Sequence, residues 1–197
     1  MIVIFDPEGV LIDTESCRFG SWERMAREQG IVLDRTFFKQ FHDACDDKIL
    51  QAILRGSHRT YSLPEKMALL TRREDIFDEL LENAGDSILL PDTRELMQEL
   101  RRYGYKAAAV SAPVLPGRLL GQTTVKRLIE FYSRMDTISD QLKDICEKGE
   151  VPASECLVVT VSDNTAKEAE ALGMHAELCE RGMTWLRLWE RLSEFIN

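Results

Sequence analysis

The most constraining feature of this sequence is a short apolar run that ends in a carboxylate and a glycine turn. Residues 2–5 read IVIF, Asp6 follows directly, and Gly9 comes three positions later. The β-branched run predicts a buried strand, and its end lies at the carboxyl edge of a sheet, where open α/β sheets bind ligands. A carboxylate at that edge can attack phosphorus or hold a divalent cation.

The length and net charge of the chain limit its domain size and the partners that it can bind. The chain has 197 residues, of which 44% are hydrophobic, enough for one core or a core with a small second lobe. Its net charge of -9 argues against unaided binding to nucleic acid or to anionic membranes. No segment is apolar enough to span a bilayer, no secretory signal fits, and the five scattered cysteines predict reduced thiols. We therefore expect a cytoplasmic protein.

Strand and helix patterns alternate along much of the chain, which predicts an α/β fold, a Rossmann-like doubly wound parallel sheet. The segment from about residue 14 to residue 84 is instead helical throughout. The predicted strands are residues 2–5, 105–110, 156–161 and 175–178. The predicted helices are residues 14–29, 34–41, 46–54, 64–70, 73–83, 93–103 and 165–172, with a last helix from Thr184.

The opening motif and the helical segment together resemble one known family. The phrase DPEGVLIDTE at residues 6–15 and the later Trp22 resemble the haloacid-dehalogenase (HAD)-like hydrolase superfamily, in its β-phosphoglucomutase-like branch. The resemblance implies a HAD-like α/β core formed by residues 1–13 and 85–197, with an inserted α-helical cap at residues 14–84. Such relatives place a further strand between the equivalents of Ser111 and Cys156; this chain is short there, so we predict that this strand is missing or degraded.

The resemblance also implies roles for individual residues. Asp6 matches the nucleophile that forms an aspartyl-phosphate, and Glu8 matches the general acid whose carbonyl binds magnesium. Ser111 matches the hydroxyl that binds phosphate. If the chain is active, the resemblance implies that Asp6, Glu8 and Asp163 are the ligands of Mg2+. Asp163 would reach the metal only through a shifted loop.

Several residues depart from the family pattern. Pro7 has no N–H to offer a phosphoryl group. Aligned without a gap, the acidic pair that ligates magnesium becomes Thr160 and Val161, and valine cannot bind a hard cation. No lysine–proline motif is found for the phosphate-neutralising lysine. The candidates for its replacement are Arg134, Lys126 and Lys143.

Two functions compete on these residues. The first is a Mg-dependent phosphatase or phosphomutase, impaired, acting on a small phosphorylated metabolite through Asp6. The second is a catalytically inactive HAD-fold protein with a binding or regulatory role. A globular domain in which Asp6 and Glu8 are merely strand-end and turn residues ranks lowest. No nucleic-acid or membrane partner is expected, and the oligomeric state is left open. The candidate specificity residues of the cap are His42, Asp43, Asp46 and Arg55.

Overall fold

A computed structural model describes residues 1–41, 44–181 and 189–190, and the chain divides into two compact units. Residues Thr14–Ala84 form a helical unit. Residues Met1–Asp13 and Gly85–Asn197 form an α/β unit. No helix in the described part of the chain has the length and hydropathy needed to cross a bilayer.

Four α-helices lie in the described residues of the helical unit, 14–41 and 44–84. The sequence predicted two helices at residues 64–70 and 73–83, which is wrong, because one helix of 22 residues runs through both. No glycine or proline interrupts the segment between them, and Pro64 lies in the first turn, where its missing N–H costs nothing. The helices are α1 (Glu15–Glu28), α2 (Arg35–Phe38, continued by a 3-10 turn at Lys39–Phe41), α3 (Asp46–Leu54) and α4 (Leu63–Ala84).

A buried aromatic and a buried cation organise the interior of the helical unit. Trp22 on α1 is fully buried, and the Arg73 guanidinium on α4 lies 5.1 Å from the centre of its ring. Arg73 also pairs with Asp46 at 3.0 Å. A buried charge needs such a partner, so Asp46, a candidate specificity residue, has a structural role within this unit.

The α/β unit is built on a parallel five-stranded sheet. The sheet order is β3-β2-β1-β4-β5, and every neighbouring pair is parallel. The doubly wound α/β fold predicted from the sequence is confirmed. The strands are β1 (Ile2–Phe5), β2 (Lys106–Ala109), β3 (Phe131–Tyr132), β4 (Cys156–Thr160) and β5 (His175–Leu178). The helices are α5 (Thr93–Arg102), α6 (Pro116–Leu119), α7 (Ile138–Gly149) and α8 (Asp163–Ala171).

Strand β1 lies at the centre of the sheet, and all four of its side chains are fully buried. A parallel strand that is covered on both faces reads as a continuous apolar run, which is the pattern that predicted it. The helices that cover the sheet contribute Leu142 and Ile145 from α7 and Ala169 from α8 to the same core.

The segment between Ser111 and Cys156 keeps a degraded strand. Strand β3 is only two residues long and pairs with β2 at the edge of the sheet. Helix α6 and a 3-10 turn at Thr124–Leu128 precede it. A missing or degraded strand was predicted here, and β3 is present but reduced to two residues.

The end of the chain falls largely outside the described residues. The predicted helix from Thr184 lies mostly there, and only Trp189 and Glu190 are described, both helical. The Trp189 ring packs on Tyr103 with the ring centres 5.1 Å apart.

The carboxyl end of β2 is held by a buried glutamine. Gln141 on α7 is fully buried. Its Oε1 accepts from the Ser111 N–H at 2.9 Å, and its Nε2 donates to the Ser111 carbonyl at 2.8 Å and the Met135 carbonyl at 3.0 Å. One side chain thus satisfies three backbone groups where the strand has already ended.

We predict that Gln141→Leu lowers the free energy of unfolding by about 2–4 kcal/mol, because it leaves the Ser111 N–H and carbonyl buried without partners. Urea denaturation followed by circular dichroism measures the change. Gln51→Leu is the matched control, since Gln51 is exposed on α3, and a surface substitution of this kind changes stability by about 0.5 kcal/mol at most. Equal effects of the two substitutions would contradict the role of Gln141.

Candidate active site

Asp6 is the first residue after the central strand. Its N–H donates to the Val159 carbonyl on β4 at 2.9 Å, and the Val110 N–H donates to the Phe5 carbonyl at 2.9 Å. The backbone of Asp6 is therefore fixed between two neighbouring strands. Its side chain is half-buried at the carboxyl edge of the sheet, where the sequence predicted it.

Two threonine hydroxyls contact the Asp6 carboxylate. Thr160, the last residue of β4, donates from Oγ1 to Asp6 Oδ2 at 3.0 Å. Thr165, in the first turn of α8, donates to the same oxygen at 3.4 Å. Thr160 Oγ1 also accepts from the Ser162 N–H at 2.9 Å. Because that contact uses a lone pair, the single hydroxyl proton of Thr160 is directed to Asp6.

Burial raises the pKa of Asp6 to about 6. Desolvation disfavours the charged carboxylate and is the largest cause. The Thr160 and Thr165 hydrogen bonds oppose the rise, the negative charge of Glu8 adds to it, and the positive charge of Arg181 lowers it. Asp6 therefore titrates close to neutral pH, a property that clusters at functional sites.

The loop after Asp6 folds around the carbonyl of Pro7. That oxygen accepts from the N–H groups of Val10, Leu11 and Ile12 at 3.2, 2.8 and 3.0 Å. The Gly9 N–H donates to the Ile12 carbonyl at 2.7 Å. The N–H groups of residues 9–12 thus donate within the loop itself.

Gly9 is required here for two reasons. Its φ of +82° lies in the left-handed region, which favours glycine. A Cβ at this position would also lie 3.1 Å from Val161 Cγ2 and 3.3 Å from Arg181 Cγ. The loop therefore packs closely against the Arg181 side chain.

Glu8 forms an ion pair with Arg181. The Arg181 Nη1 donates to Glu8 Oε1 at 3.0 Å, and about half of the Arg181 side chain is exposed. Arg181 follows β5, and the Cys179 N–H donates to the Thr160 carbonyl at 2.8 Å. The chain therefore leaves the sheet at the same carboxyl edge as Asp6.

Ser111 lies at the same edge. Continuing the pairing of Phe5 with Ala109 puts Val110 opposite Asp6 and Ser111 one residue further on. Ser111 is buried, and Gln141 fixes its backbone on both sides. The structure thus brings Asp6, Glu8 and Ser111 to one edge of the sheet, while their chemical roles stay predictions.

Asp163 makes a local contact on α8. It is the first residue of that helix and pairs with Lys167 one turn later, and its side chain is largely exposed. The side chain therefore has a partner on its own helix.

The arrangement does not fit a tight magnesium site. Each of the three carboxylates predicted to bind magnesium accepts from a protein donor: Asp6 from threonine, Glu8 from arginine, and Asp163 from lysine. Across the described ranges, no group of three His, Cys, Asp or Glu side chains is arranged to hold a cation. Magnesium demands near-octahedral oxygen ligands, commonly one or two carboxylates with waters and substrate phosphates, and these carboxylates are already engaged by protein donors.

Sequence reasoning missed Thr165 and Arg181. The three cations considered in place of the motif lysine have other environments: Lys126 donates to the Gly121 carbonyl, Lys143 pairs with Asp140, and Arg134 is exposed. The available signal for Arg181 was its place just after the predicted strand at residues 175–178, since every parallel strand of the sheet ends at the same edge.

The candidate specificity residues of the helical unit are only partly described. His42 and Asp43 lie outside the described residues. Asp46 pairs with Arg73, and Arg55 is exposed at the end of α3. Their role in specificity stays a prediction.

Two curated sequences and many solved structures are similar to this chain. No protein-family model matches the chain. β-Phosphoglucomutase of Bacillus subtilis (strain 168) is 28% identical over 123 residues, covering 59% of this chain. The match spans only about half of that protein, 54% of its length.

Two crystal structures show the same fold at low sequence identity. β-Phosphoglucomutase from Clostridium difficile has a TM-score of 0.64 and 16% identity, covering 100% of this chain and 99% of its own. A CbbY variant from Rhodobacter sphaeroides in complex with xylulose-1,5-bisphosphate has a TM-score of 0.63 and 18% identity, covering 89% and 85%. The α/β unit of this chain is thus a HAD-like, Rossmann-type fold, and the resemblance to the β-phosphoglucomutase-like branch of the HAD-like superfamily is confirmed.

Proposed function

We propose that this chain is a HAD-like hydrolase of the phosphatase or phosphomutase type, with impaired activity on a small phosphorylated metabolite. The observation that supports it most is the position of Asp6, a half-buried carboxylate at the carboxyl end of the central strand. A carboxylate in that position is suited to nucleophilic attack on phosphorus.

The proposed reaction uses Asp6 as the nucleophile. An Oδ atom of Asp6 attacks the phosphorus, the bond from phosphorus to the ester oxygen breaks, and the leaving oxygen takes a proton from the Glu8 carboxyl group. Water then hydrolyses the aspartyl-phosphate and releases inorganic phosphate. Ser111 would hydrogen-bond the phosphate during both steps.

The contacts around these residues account for the proposed impairment. Thr160 and Thr165 already donate to Asp6 Oδ2, and hydrogen bonds to a carboxylate lower its nucleophilicity. Glu8 can protonate a leaving group only after its ion pair with Arg181 opens. Phosphoryl transfer depends on positioning and charge neutralisation, and one lost preorganised donor costs roughly 100-fold to 1,000-fold in rate.

The similar proteins support the substrate class. One is named a β-phosphoglucomutase, and another was crystallised with a sugar bisphosphate. We therefore propose a phosphorylated small metabolite as substrate, with the helical unit at residues 14–84 acting as the cap that selects it.

The alternative is a catalytically inactive HAD-fold protein that binds a ligand or a regulatory partner. One observation favours it: the gapless alignment replaces the acidic pair by Thr160 and Val161, and the Thr160 hydroxyl donates to Asp6. Both functions use the same edge of the sheet, so a turnover measurement separates them.

We predict that purified protein hydrolyses a generic aryl phosphate slowly and that Asp6→Asn reduces the rate to the uncatalysed background, because an amide oxygen is a far weaker nucleophile than a carboxylate. Release of the aryl alcohol measures the rate. Asp136→Asn, at an exposed aspartate, is the matched control and should keep the wild-type rate. Equal rates for wild type and Asp6→Asn would contradict catalysis through Asp6 and would favour the catalytically inactive binding protein.

We predict that calorimetry finds no magnesium site tighter than about millimolar, because magnesium would have to displace the protein donors of each carboxylate. Val161→Asp, which restores an acid at the position of the missing pair, should tighten magnesium binding by at least about tenfold. Asp163→Asn should leave the weak wild-type binding unchanged. A micromolar site that Asp163→Asn abolishes would instead establish the set of Asp6, Glu8 and Asp163.

We predict that the free energy of unfolding of the wild type decreases as the pH rises and Asp6 ionises. The folded pKa of about 6 lies above the ordinary aspartate value of 3.8, so the folded state binds the proton more tightly than the unfolded state. The resulting stabilisation is complete below the unfolded pKa and is lost as the pH rises through about 6. From pH 5 to pH 8, unfolding free energy should fall by about 1–2 kcal/mol relative to Asp6→Asn. A pH-independent difference between the two proteins in urea denaturation would contradict the raised pKa.

A further inference from the structure

Arg181 is the cation that the structure places beside the two acids of the candidate site. Its Nη1 donates to Glu8 Oε1 at 3.0 Å. Its charge also acts on Asp6, whose pKa it lowers. Asp6, Glu8 and Arg181 therefore form one electrostatic cluster at the carboxyl edge of the sheet.

The Arg181 stem packs closely against the loop that follows Asp6. Arg181 Cγ and Cζ each lie 3.3 Å from the point that a Cβ of Gly9 would occupy. The guanidinium therefore rests over the same loop that carries Glu8. A Cβ at position 9 would push the Arg181 side chain away by a few tenths of an ångström.

The guanidinium keeps capacity for a further ligand. It carries five N–H donors in a planar fork that suits bidentate contacts with phosphate, and a single contact with one carboxylate oxygen does not exhaust them. About half of the side chain is exposed to solvent, so a small anion can reach it.

The charges of the cluster explain why an exchange is needed. With both acids ionised, Asp6 and Glu8 carry two negative charges against the single positive charge of Arg181. A dianionic phosphate meets net repulsion while Glu8 holds the arginine. If the phosphate replaces Glu8 at the guanidinium, the arginine partly neutralises the negative charge of the phosphate oxygens.

We propose that Arg181 is the phosphate-binding cation of this site and that Glu8 occupies it until a phosphate group arrives. Glu8 and phosphate compete for the same guanidinium, so the acid controls anion affinity. This inference rests on the proposed function for its ligand class, a phosphate monoester or inorganic phosphate. It assigns to Arg181 the neutralising role for which the sequence offered only Arg134, Lys126 and Lys143.

Calorimetric titration with inorganic phosphate at pH 7.5 and low ionic strength tests the inference on the full chain. Arg181→Gln should weaken phosphate binding at least about tenfold, because charge-assisted bidentate hydrogen bonds are lost. Glu8→Gln should tighten it several-fold, because the competing carboxylate is gone, and the gain should shrink in high salt. Lys143→Gln, which removes a charge from an exposed pair on α7, is the matched control and should change nothing.

The outcomes separate this inference from the proposed function. If wild type and Arg181→Gln bind phosphate equally well, Arg181 is not the phosphate cation, and the proposed function stands. If Lys143→Gln weakens binding as much as Arg181→Gln, the effect is one of general charge and the inference is overturned. If neither wild type nor Glu8→Gln binds phosphate at millimolar concentrations, the inference is overturned, and the hydrolysis assay with Asp6→Asn decides the proposed function separately. Thermal unfolding shows whether each variant is folded. If Arg181→Gln does not fold, the Glu8→Gln titration still tests the inference, because unchanged phosphate affinity in that variant would contradict the competition.

Discussion

The contact between the Asp6 carboxylate and the Thr160 hydroxyl joins the elements on which the candidate site depends. Asp6 ends the central strand, Thr160 ends β4, and Thr165 adds a second hydroxyl from α8. A carboxylate at this depth would be costly without donors. The hydrogen bonds from the two threonines offset part of the cost of burying the charged form, and they hold the carboxylate at the end of the central strand.

The sequence predicted the fold well because the fold rests on local patterns. The apolar run of β1, the alternation of strand and helix and the glycine after Asp6 are all readable along the chain. Errors arose where the pattern was weak: the division of α4 into two helices had no glycine or proline to support it. Strand β3, with two residues, is too short to give any periodicity.

The site was harder to predict, because its partners are distant in sequence. Thr160 was identified as the replacement for an acid, yet only the structure shows its hydroxyl donating to Asp6, 154 residues away. Arg181 lies 173 residues from Glu8, whereas the substitutes for the motif lysine that the sequence suggested, Lys126, Arg134 and Lys143, all precede β4. A charge needs only to reach the carboxyl edge of the sheet, and any strand of that sheet can deliver it.

Retention of an ionisable group at position 6 is itself informative. A purely structural role at the end of β1 would be served by asparagine, which accepts the same threonine hydrogen bonds and does not ionise. The carboxylate instead lowers stability at neutral pH, because burial raises its pKa to about 6. Groups that violate a local rule in this way are expected where function requires them. Together with Arg181 beside Glu8, this favours a site that still handles an anionic ligand over one in which Asp6 merely terminates a strand.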